Sequence, residues 1–104
     1  MTDARHPDAL TGALESLAAI RDTLGRHYGG SNNPEALAEI DAALRDAELW
    51  PGAGHPLREK VGSFRGWAEM LFSDAGWEDH GTPDRVRGIV LQDLAGLEQI
   101  VRRG

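Results

Sequence analysis

Four stretches of the chain bring apolar residues round every three or four positions, and no stretch of useful length alternates apolar with polar residues. A chain patterned this way must bury its apolar surface helix against helix, because it has no half-buried strand from which to build a sheet. The first stretch, residues 7–28, carries Leu10, Leu14, Leu17, Leu24 and Tyr28 on one face. Pro7 suits its first turn, where a missing N–H leaves nothing unpaired. Gly29-Gly30 stop it, and Ser31-Asn32-Asn33 form a polar turn. The second, residues 34–49, opens at Pro34 behind Asn33 as its cap and sets Leu37, Ile40, Leu44 and Ala47 to one side. It must end before Pro51, since proline disfavours helical geometry in the residue ahead of it. After the loop Trp50-Pro51-Gly52-Ala53-Gly54-His55-Pro56, residues 56–73 form a seam of Leu57, Val61, Phe64, Ala68 and Leu71 flanked by Trp67 and Phe72. The fourth stretch, residues 83–102, has Thr82 as cap, Pro83 in first position and Asp84 against the helix dipole. Its stripe is Val86, Ile89, Val90, Leu97, Ile100 and Val101.

The expectation is an all-α fold: a four-helix antiparallel bundle in one domain spanning residues 1–104. Connections too short for a long crossover favour up-down-up-down order. At 104 residues, one domain is the natural size. Eleven basic against seventeen acidic residues leave a formal net charge of −6, which disfavours binding to nucleic acid or to an anionic membrane. Cysteine is absent, which excludes disulfides, thiolate nucleophiles and zinc-thiolate sites. No apolar run approaches the roughly 20 residues of a transmembrane helix, and the polar start MTDARHPD does not read as a signal peptide. The cytoplasm is the expected compartment. Lys60 is the sole lysine among the basic residues, a bias that fits a GC-rich bacterial coding genome.

The residues that break the helical pattern say more. On a 100° wheel Arg21 falls within the stripe of the first segment, and Asp93 falls among Val86, Ile89, Val90, Leu97 and Ile100 of the fourth. An unpaired buried charge costs several kcal/mol, so Arg21 and Asp93 are expected to meet inside as a hydrogen-bonded ion pair. Such a pair would fix helix registry or line a ligand pocket. Asp41 and Glu48 are alternative partners for Arg21, and its stem could also carry its charge out to solvent.

Two further groups suggest contact surfaces. Gly62 and Gly66 lie one turn apart opposite the Leu57–Leu71 seam and, with Ser63 and Ser73, form a small-residue face that another backbone could approach. Trp50 and Trp77 stand at loop ends, where they either cap the core or anchor a partner, as Trp67 could.

Catalytic signals are sparse. His55 and Glu59 are four apart, but His55 precedes Pro56 at a helix start. Glu78-Asp79-His80 is a short acidic-imidazole run without further ligands nearby in sequence. No metal or cofactor is implied, and there is neither a phosphate-cradling glycine loop nor a nucleophile elbow. The run Arg21-Asp22-Thr23-Leu24-Gly25-Arg26-His27-Tyr28 resembles the Arg–polar–spacer–His motif of the HEPN family of small all-helical ribonucleases. That resemblance implies RNA cleavage by Arg21 and His27 across a dimer cleft. A histidine would shuttle the proton and an arginine would stabilise the phosphorane. Without it, Arg26 and His27 are cations favoured by the helix C-terminus.

The reading that the sequence supports first is a non-catalytic helical-bundle protein that binds another protein or itself. An accessory subunit, an inhibitor or immunity factor, or an assembly adaptor would look like this. Its contact residues would be Gly62, Gly66, Trp50 and Trp77. The alternatives are the HEPN-like ribonuclease using Arg21 and His27, and a ligand-sensing bundle with the Arg21/Asp93 pair in its pocket.

Overall fold

A computed structural model describes residues 5–52 and 54–104, with side chains from residue 9 onward. Among these residues the secondary structure is entirely helical. The elements are α1 (Arg5–Arg26), α2 (Pro34–Ala43), α3 (His55–Leu71) and α4 (Pro83–Arg103), with 3-10 turns at Ala47–Leu49 and Glu78–His80. No helix among the described residues is long and apolar enough to cross a membrane.

The caps form as the sequence expects. Asn33 accepts from the Ala36 N–H and Thr82 from the Arg85 N–H, each behind a proline that has no donor to leave unpaired. The helix ends shift for local reasons. α2 closes at Ala43 rather than 49, because the chain tightens into i→i+3 bonds from Arg45 to Ala42, Ala47 to Leu44 and Leu49 to Asp46. Trp50 is then free to adopt the extended conformation (ψ 152°) that Pro51 requires. α3 stops at Leu71 because the Ser73 hydroxyl donates to the Met70 carbonyl and accepts from the Gly76 N–H, a local turn that competes with the helix.

Each helix packs against two others: α1 on α2 and α4, and α3 on α2 and α4. The core between them holds Leu17, Ile20 and Leu24 of α1, Ile40 of α2, Phe64 and Leu71 of α3, and Val90, Leu94 and Leu97 of α4. One end of the molecule is tied by polar contacts. The 27–33 connection supplies the Gly30 and Asn33 N–H groups to the Leu71 and Phe72 carbonyls at the end of α3 (2.6 and 3.1 Å). Arg87 of α4 donates to the carbonyls of Leu24, His27 and Tyr28 at the end of α1. These contacts satisfy helix-terminal carbonyls that would otherwise have no partner. Gly29 (φ +103°) is required here, since a Cβ would lie 2.5 Å from the Leu71 side chain.

Candidate interaction surfaces

The expected Arg21–Asp93 pair does not form. The Arg21 side chain is 56% exposed and reaches Glu98 at 3.4 Å. Asp93 faces α3 instead, accepting from the Ser63 hydroxyl at 2.8 Å with Lys60 Nζ at 3.6 Å. The reason is where each stripe is centred. Ala13, Ile20 and Leu94 are fully buried, whereas Tyr28 is 54% exposed. Centring each face on its buried apolar residues moves Arg21 and Asp93 to roughly 60–70° from the middle. At that angle the long Arg21 side chain reaches solvent and α4, and the short Asp93 carboxylate meets the facing edge of α3. Neither alternative partner of Arg21 is used: Asp41 pairs with Arg65 at 3.1 Å, and Glu48 borders a groove described below.

Among the described residues of α1, the buried polar one is Thr23, at 2% exposure. Its hydroxyl lies 2.7 Å from Glu39 of α2 and 3.1 Å from its own-helix Ala19 carbonyl. Arg26 donates to the same Glu39 carboxylate and to Asp22. The Arg26 bond, then the Thr23 bond, holds the Glu39 carboxyl below the ordinary carboxylate range, and the two carboxylates raise the Arg26 pKa in turn. Glu98 is held low likewise, first by Arg102 and then by Arg21.

Arg21 and His27, the pair implicated by the ribonuclease-like motif, are given separate tasks. Arg21 serves the α1–α4 seam. The His27 ring stands edge-on to Phe72, and its Nδ1 accepts from the Asn33 side-chain amide at 3.2 Å, which fastens the 27–33 connection. The two side chains share no partner among the described residues.

The other candidate residues divide. Trp50 is buried at 5% exposure, so the expected anchor is a core residue. Trp77 is half-buried, and its indole N–H is enclosed without a protein acceptor. Trp67 packs edge-on against His80 at 4.8 Å between ring centres. Gly62 and Gly66 lie exposed on α3, where an added Cβ would meet nothing within 4 Å. Ser63 and Ser73 do not share that face: one joins Asp93 and the other ends the helix. His55 is in fact the first residue of α3 and pairs with Glu59 at 3.0 Å, both exposed.

A groove, the α2–α3 groove, lies elsewhere, between residues 44–48, which follow α2, and the first half of α3. This groove has a volume of about 320 Å³. Leu44, Ala47, Leu57 and Val61 supply its apolar lining. Arg45, Arg58, Arg65 and Glu48 supply its charges. Among the described residues neither Arg45 nor Arg58 has an ion-pair partner. Leu49, next to Glu48, is 74% exposed. The α3 half of this signal was present in the sequence: Arg58, Val61 and Arg65 are spaced i, i+3, i+7 and share one edge of a helix. The other half was only partly legible: on one helix over 34–49 Leu49 falls roughly 160° from the Leu37–Ala47 stripe, which exposes it, but nothing local shows that residues 44–48 turn to line a groove with α3. Comparison with known proteins gives no matching family model, no matching curated protein and no matching solved structure.

Proposed function

We propose that this chain is an antiparallel four-helix bundle, ordered up-down-up-down, that works without catalysis by binding another protein. An accessory subunit, an inhibitor or immunity factor, and an assembly adaptor all fit that description. The bundle reading is supported by the ring of neighbours α1–α2–α3–α4 and back to α1. It is supported too by the shared end at which the last turns of α1 and α3 meet the 27–33 connection and Arg87. The interaction reading is carried by the α2–α3 groove, where apolar side chains meet three arginines, and by Leu49, a large apolar residue 74% exposed beside the groove residue Glu48. Apolar surface gathered in a groove marks a contact site more often than scattered exposed residues do. Covering Leu49 alone would contribute roughly 1.5–3 kcal/mol to an association.

A photo-crosslinking residue placed at Leu49 in the native host tests this. The expected result is one adduct of discrete mass at Leu49 and none at Gln99, an exposed position of α4. No adduct at Leu49, or equal labelling at both positions, would overturn the reading.

A further inference from the structure

The groove also carries information about what fills it. We infer that its occupant is an acidic amphipathic helical segment of the partner, with leucine-like residues on the groove and carboxylates along its flanks; this rests on the protein-binding reading above. Shape is the first argument. The α3 lining runs from Leu57 to Arg65, about 12 Å at 1.5 Å per residue. That is just over two helical turns, an elongated edge rather than a pocket closed around a compact molecule. Leu57 and Val61 repeat every four residues along it, the spacing that apolar residues on an incoming helix also show.

Charge is the second argument. The molecule carries a net charge of −6, yet three arginines and a single acidic residue line this groove. Arg45 and Arg58 have no ionic partner among the described residues, and the Asp41 that holds Arg65 is itself exposed. A planar guanidinium accepts a carboxylate through two parallel N–H bonds, so arginines placed beside an apolar lining select carboxylates flanking an apolar stripe. A basic segment would be repelled by the same residues, and a neutral one would leave the arginines without partners.

Two helical probe peptides of about 18 residues test this. They carry the same leucine stripe, flanked by glutamate in one and by lysine in the other. Titration into the isotope-labelled protein is followed by amide chemical shifts at Leu44, Ala47, Leu57 and Val61. The expected result is saturable shifts with the glutamate peptide, at least about tenfold weaker binding of the lysine peptide, and loss of affinity at higher salt. Combining Arg45→Glu with Arg58→Glu should reverse the preference while leaving the circular dichroism helical. Equal binding of both peptides, or no shift with the glutamate peptide, would overturn the acidic-segment inference while a Leu49 adduct would still stand. The same shifts from free glutamate at matched carboxylate concentration would also overturn it, in favour of a simple anion. Concentration-dependent shifts without any peptide would overturn it in favour of a second copy of the chain.

Discussion

Arg87 shows how one side chain can hold two helices in register. It donates to the carbonyls of Leu24, His27 and Tyr28, and its guanidinium carbon stands 5.4 Å from the centre of the Tyr28 ring. Hydrogen bonds from a charged donor contribute more than neutral ones, so Arg87→Ala should cost about 2 kcal/mol in urea unfolding. Arg87→Lys should recover little, because a point charge cannot bridge three carbonyls as a fork does. Thr23→Val keeps the volume but removes the bond to Glu39, and should cost about 1 kcal/mol by the same measurement. Neither residue was legible as structural from the sequence. Arg87 lies outside the apolar stripe, and its carbonyl partners are set by where the chain turns after α1. Arg21 and Asp93 stand out in the sequence instead, since stripes that include Tyr28, Ile89 and Ile100 set them too near the core.

Helix starts were more legible than helix ends. Pro34 and Pro83 with their side-chain caps mark the starts of α2 and α4 at the expected residues, because a cap is a local bond between neighbours. Pro51 marks only the latest point at which the second helix can end; the tightening into i→i+3 bonds that closes α2 at Ala43 has no such local marker. Gly29→Ala tests the turn after α1: the left-handed φ and the approach to Leu71 should together cost more than about 1 kcal/mol, read as a lowered Tm. The seams between helices also set a pH response. Glu39 and Glu98 both have depressed pKa values in the folded protein. The stability they contribute is therefore present above the ordinary glutamate value of about 4.3 and is lost as pH falls through their lower folded values. Thermal unfolding from pH 6 down to pH 3 should show Tm falling over that acidic range, and Glu39→Gln should flatten the fall.

At the scale of the whole molecule, a chain of net charge −6 carries a groove lined by three arginines and a single acidic residue. Composition gave the net charge, but only the fold places Arg45, in the turns after α2, in one groove with Arg58 and Arg65 of α3. A partner drawn by those arginines would associate faster at low salt than at high salt. The most direct measurement is native mass spectrometry of the protein purified gently from its own host, beside Val61→Glu. That substitution sets a carboxylate in the groove at a half-buried position of α3. The expected result is a heteromeric mass for the unaltered chain and a bare monomer for Val61→Glu, with equal helicity by circular dichroism. A monomer in both, or the same heteromer in both, would contradict the proposal that this bundle works by binding a protein partner through the α2–α3 groove.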